Sequence, residues 1–163
     1  MRGKKAPRRK LKPDAAYNSV LVTKFINYLM RDGKKTTAEK VLYGSFGVID
    51  QAIKAKKITG DYENALQVFD QAVKNVAPQV EVRGRRVGGA NYQVPFPVRG
   101  DRKYALTFRW LIEAAAKKKG RSMSQKLADE LMAAINEEGD AMKKRTDVHR
   151  MAEANRAFAH FAR

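Results

Sequence analysis

The chain of 163 residues sets 34 Lys and Arg against 17 Asp and Glu, a formal net charge of +17, and contains no cysteine. So large an excess repels itself in a compact fold and calls for a polyanionic partner, nucleic acid ahead of an anionic membrane or an acidic protein. Disulfides, thiolate metal sites and a cysteine nucleophile are excluded, and no apolar run approaches a membrane span or a secretory leader; one soluble intracellular domain with no membrane partner is expected.

Residues 1–17 form a basic tail. Arg2, Lys4, Lys5, Arg8, Arg9, Lys10 and Lys12 place seven cations and no anion in the first twelve positions. Such a segment has too little apolar surface to fold alone, so it is expected to be disordered until it settles on a phosphate backbone. Helices follow over 18–78. The first is expected from about Ser19 to Arg31, on a stripe of Val22, Phe25, Ile26, Leu29 and Met30, closed by Gly33. Thr36 and Glu39 have capping-box spacing for the second, with Ala38, Leu42, Phe46, Ile49 and Ile53 inward. Its Gly44 and Gly47 suggest close helix packing. A third helix opens near Asp61, carries Leu66, Phe69, Val73 and Val76, and stops before Pro78.

Residues 79–99 supply the strand signal of the chain. If Val80 and Val82 share a face with Tyr92, Val94, Phe96 and Val98, the connection must hold an odd number of residues, a three- or five-residue turn within Val87 to Asn91. The hairpin is then an arm of about 30 Å, with Arg83, Arg85 and Arg86 beside Gly84, Gly88 and Gly89 near its tip. Pro95 and Pro97, opposite Phe96, keep the second strand an edge. A two-stranded ribbon is marginal alone, so its base should rest on helices and its basic end on a partner.

Helices resume over 101–139. Asp101 is the expected cap of a helix with Tyr104, Phe108, Leu111, Ile112 and Ala115 inward, ending in Lys117, Lys118, Lys119 and Gly120. Ser122 and Gln125 cap the next, which Gly139 closes. A C-terminal helix over 140–163 carries a stripe of Val148, Met151, Asn155 and Phe158, polar enough to serve a partner. The fold expected is mainly α: a bundle of about six helices with one extended β-hairpin arm between the third and fourth.

No catalytic or metal-binding set emerges, and no cofactor is expected. His149 and His160 are expected eleven residues apart on one helix, about 16 Å, too far to share a metal. Glu137 and Glu138 diverge on a helix, and Gly84, Gly88 and Gly89 lack the Lys-Ser/Thr of a phosphate loop. Cations, by contrast, are spread over several elements. Lys34 and Lys35 lie between helices, Arg99, Arg102 and Lys103 flank the hairpin base, and Arg109 precedes Trp110, itself read as core. Arg102 and Lys103 oppose the helix dipole, which leaves them without an evident structural role. With no zinc-finger or RNA-binding-sheet motif, the pattern points to a folded RNA recognised by shape. A helical DNA-binding regulator or nucleoid protein is the alternative, and it would need base-reading residues on one helix.

Residues 75–95, NVAPQVEVRGRRVGGANYQVP, closely resemble the signature of the bacterial form of the small-subunit ribosomal protein seven family. The likeness continues through RWL at 109–111, MSQKLA at 123–128 and HRMAEANRAFAH at 149–160. The resemblance implies a cytoplasmic, non-enzymatic constituent of the small ribosomal subunit that binds the 3′ major domain of its rRNA and nucleates head assembly. It implies that the hairpin and C-terminal helix lie near exit-site tRNA and mRNA, with small-subunit proteins nine, eleven and nineteen as neighbours. On that basis the tail, Lys34, Lys35, Arg99, Arg102, Lys103, Arg109, Lys117, Lys118, Lys119 and Arg121 are expected on rRNA. Arg83, Gly84, Arg85, Arg86, Gly88, Gly89 and Tyr92 form the exit-site arm, and Lys143, Lys144, Arg145, His149, Arg150 and Arg156 make C-terminal contacts.

Overall fold

The structure, a computed structural model, describes residues 3, 6, 10–58 and 60–162. Arg2, Lys4, Lys5, Arg8 and Arg9, five of the cations expected on rRNA, lie outside the described residues. The fold is mainly α, with helices α1 (Val20–Leu29), α2 (Lys35–Lys54) and α3 (Ala65–Val76), strands β1 (Val80–Val87) and β2 (Ala90–Pro97), then α4 (Asp101–Lys117), α5 (Met123–Ile135) and α6 (Asp140–Ala154). A 3₁₀ turn, Arg156–Ala162, follows.

The apolar stripes close on one another around four fully buried phenylalanines, one from each of the first four helices. Phe69 lies 5.3 Å from Phe25 and 5.6 Å from Phe46, and Phe108 lies 5.2 Å from Phe25, mostly edge to face. That geometry sets the positive edge of one ring on the negative face of the next. Trp110 is buried, as expected, whereas Tyr104 is exposed and not part of the core. Gly44 lets α2 approach α5: a Cβ there would meet the Ser124 hydroxyl at 3.0 Å, while nothing lies close to Gly47.

Helix ends show where local signals lose to tertiary ones. Ser19, Asn64 and Ser122 accept from the backbone N–H three residues on, each satisfying an orphan donor. The second helix differs. It starts at Lys35, so Thr36 already lies inside it and no side chain caps it. Its entry is set instead by a turn in which Asp32 and Gly33 take positive φ. The third helix begins at Ala65, later than Asp61, where Asp50 Oδ1 accepts from the Ala65 N–H at 2.9 Å. Asp101 is the first residue of α4 and not its cap, and pairs with Lys24 at 2.8 Å. Gly139 caps the start of α6, while α5 ends at Ile135. Asn75 Nδ2 donates to the Ala134 and Ile135 carbonyls there at 3.0 and 3.1 Å, supplying partners that the helix itself cannot.

The hairpin corrects the parity argument. Val80 pairs with Pro97, Arg83 with Val94, Arg85 with Tyr92 and Val87 with Ala90, leaving a two-residue turn. Gly88 and Gly89 have φ of 58° and 90°, the double positive φ of the tight turn that matches strand twist. Cross-strand partners share a face. Val80 and Val82 therefore sit with Pro95 and Pro97, and Glu81, Arg83 and Arg85 with Val94, Phe96 and Tyr92. Both faces are partly apolar at the base because both are partly covered. Eight-residue strands give an arm of about 26 Å; its base is covered, Val94 fully buried, while Arg83 to Arg86 and Gly88 to Asn91 are exposed.

Candidate nucleic-acid interface

The buried charged residues among those described are Asp14, Glu81 and Glu130, all acidic. A carboxylate tolerates burial only when cations and N–H groups meet it, and each of the three is met. Asp14 accepts from the Ala16 and Tyr17 N–H groups, both at 3.1 Å, and from the Tyr43 hydroxyl at 2.7 Å. The Tyr43 hydroxyl is pushed up to about 12, by burial first and by this hydrogen bond second. Glu130 accepts from the Ala141 N–H at 2.9 Å and pairs with Lys118 at 2.7 Å. Glu81 takes Arg102 in two contacts at 3.0 and 2.9 Å, and Arg83 as well.

Three expected contact residues, Arg83, Arg102 and Lys118, thereby gain internal partners. Arg102, which the sequence left without a structural role, holds the arm to the first turn of α4. Lys118 neutralises the carboxylate at the α5–α6 junction. Arg121 pairs with Asp129 at 3.0 Å and Arg150 with Asp147 at 3.0 Å, but these pairs are exposed and worth little.

The remaining cations fall into groups that the linear sequence does not show. Lys10 and Lys12, at the end of the tail, meet Lys35 of α2 around a cleft of about 880 Å³. The Thr23 hydroxyl donates to the Lys12 carbonyl at 3.0 Å. Lys34 shares a second groove of about 350 Å³ with Arg31 and Lys126 over an apolar floor that includes Val41, Ile112 and Met123. Lys117 of α4 and Lys143 and Lys144 of α6 line a hollow beside Trp110, which they share with Glu113, Asp140 and Asp147. Arg99, Arg109, Lys119 and Arg156 are exposed, and Lys103 is half-buried.

Arg31, Lys126 and Tyr28 are not among the contact residues expected from the sequence, and Tyr104 is expected there in the core. Lys126 follows Met123 by three residues and so shares its face of α5, which was the available signal for the groove. Arg31 was read as the end of a helix that stops at Leu29. Tyr28 and Tyr104 are exposed aromatics, and Lys24 Nζ lies 5.7 Å from the Tyr104 ring centre.

The C-terminal contact set is divided by a bend. His149 lies in α6 and His160 in the 3₁₀ turn, so one helix does not carry both. His149 Nε2 accepts from the Gln79 N–H at 3.2 Å, at the root of β1. Burial, then the positive charge of Arg145 one turn earlier, pushes its pKa down, which suits a neutral acceptor. Beyond the bend, Tyr92 of β2 meets Phe158 and Phe161, with ring centres 5.0 and 5.5 Å apart, and Arg85 donates to the Phe161 carbonyl. No set of three or more acidic, His or Cys side chains among the described residues could hold a metal. No helix among them is long and apolar enough to cross a membrane.

Helices closed on one core, with cations exposed on several faces and none among the buried charges of the described residues, define a helical scaffold protein suited to a folded polyanion. The chain belongs to the family described as Ribosomal protein S7p/S5e, whose model matches residues 1–156. It is 54% identical over 161 residues, 99% of each chain, to the small ribosomal subunit protein uS7 of Thermotoga neapolitana. It is 53% identical over the same length to that of Thermosipho melanesiensis, and 50% identical over 156 residues, 96% of this chain and 95% of the other, to that of Methylorubrum extorquens strain PA1.

Proposed function

We propose that this chain anchors the 3′ major, head-forming domain of small-subunit rRNA, and that its arm and C-terminal segment lie beside exit-site tRNA and mRNA. Family membership makes it a non-enzymatic, structural constituent of the small ribosomal subunit, acting in translation. The finer assignment rests on one observation above all, the separation of its cations into several groups on different elements while the buried charges are acidic. A rod of duplex offers phosphates along one line. A multi-helix junction offers them on several sides at once, and shape selects such a target.

On this reading the 163 residues work as one rRNA-binding domain. The cleft at Lys10, Lys12 and Lys35 and the groove at Arg31, Lys34 and Lys126 take phosphates. The arm adds Arg85, Arg86 and Tyr92, and small-subunit proteins nine, eleven and nineteen are the neighbours. Binding to a head-domain junction should survive an excess of random duplex DNA and fall steeply with salt. Equal competition by the duplex would sink the proposal and favour the DNA-binding alternative. Deleting Arg83 through Ala90 should leave helical content and most rRNA affinity in place while disturbing exit-site events such as tRNA release or frame maintenance. Unfolding on that deletion would show the arm to be part of the core.

A further inference from the structure

The bend after α6 turns the chain back along the arm. Asn155 Nδ2 donates to the Met151 carbonyl at 2.8 Å, and the Phe158 N–H donates to the Asn155 carbonyl at 3.0 Å. The turn that follows lays Phe158 and Phe161 against Tyr92, with their own rings 13° from parallel. The Phe161 carbonyl receives the Arg85 guanidinium. Arg85 and Tyr92 are cross-strand partners on one face, so a single short segment occupies both. On the opposite face Arg86, Asn91 and Gln93 are exposed.

A flat ring and a guanidinium side by side are what an unpaired nucleotide uses, the base by stacking and the phosphate by charge-assisted hydrogen bonds. The C-terminal turn fills those two positions with chemically similar but weaker groups, a phenyl ring and a neutral carbonyl. We infer that residues 156–162 are a clasp that closes the Arg85–Tyr92 step of the arm in the free protein, and that unpaired RNA opens it by replacing the Phe158 and Phe161 rings with a base and the Phe161 carbonyl with a phosphate. This rests on the reading that the arm meets RNA. Being part of the same chain, the clasp competes at a high effective concentration although each contact is weak.

The test compares the full chain with a Phe158→Ala, Phe161→Ala double variant, each with and without Tyr92→Ala, and with a chain ending at Asn155. Circular dichroism checks that the helices persist. The readouts are the rate of tryptic cleavage after Arg85 and the affinity for labelled oligoadenylate. Loss of the clasp should speed cleavage about fivefold or more and raise affinity about three- to tenfold, the scale of one or two aromatic contacts. Tyr92→Ala should erase the gain in affinity. Unchanged cleavage overturns the clasp itself. Faster cleavage without a gain in affinity overturns the proposal through the arm–RNA reading, and binding to the rRNA junction, measured on the same variants, reports separately on anchoring. A drop in affinity in the double variant would also overturn it, because the phenylalanines would then be RNA contacts and not a cover.

Discussion

The helical body and the arm are stabilised in different ways. In the body, Phe25, Phe46, Phe69 and Phe108 are each fully buried and interlock in pairs. In the arm Val94 alone is fully buried, and the rest is held by discrete polar and aromatic contacts: Glu81 to Arg102, His149 to Gln79, Tyr92 to the C-terminal turn. Close packing is cooperative and intolerant of change, whereas discrete contacts can be exchanged one at a time for those of a partner. On the proposed function, in which the arm meets RNA while the body stays folded, the protein gains from keeping the two apart.

The largest way to strain that contrast is Phe69→Ala, which opens a hole between Phe25 and Phe46. It should cost about 3–5 kcal/mol in denaturant unfolding, while the arm deletion described above should cost far less. A cost below about 1 kcal/mol would mean that the body can collapse around the hole. Glu130→Ala comes next. It leaves the Ala141 N–H and Lys118 without their shared acceptor, and about 2–3 kcal/mol should be lost, less if water reaches the partly exposed Lys118. The smallest effect is on the arm. His149 accepts the Gln79 N–H only when neutral, and its pKa is lowered from the ordinary 6.5. Its contribution is therefore present above that ordinary value, and is lost as pH falls through the lowered folded value. Hydrogen exchange at the base of β1 should accelerate over that window by no more than a bond worth about 1 kcal/mol allows, and His149→Gln should flatten the pH dependence. An acceleration of equal size in the body would show that the two regions open together.

The body was legible because helical stripes are local: Val22, Phe25 and Ile26, or Leu42 and Phe46, are buried where periodicity puts them. The arm's existence was legible for the same reason, but its register was not. The odd turn followed from assigning every apolar side chain of both strands to one face, and that assignment fails because α6 and the C-terminal turn cover part of the arm from elsewhere in the chain. Arg102 is a similar case. Its partner Glu81 is 21 residues away, so charge patterning along α4 could not reveal it. The cation groups were legible residue by residue and illegible as groups, since Lys117 shares a hollow with Lys143 and Lys144 only after two helices have packed.

Glu130 bears on more than stability. Its carboxylate joins the exit of α4 through Lys118 to the first turn of α6 through the Ala141 N–H, and a Cβ at Gly139 would come within 2.8 Å of it. From that point α6 runs 15 residues to the bend, about 22 Å at 1.5 Å per residue, supporting the arm on the way. The junction thus fixes the direction in which α6 leaves the body, and a difference of about 5° there would displace its far end, and with it the support of the arm, by about 2 Å.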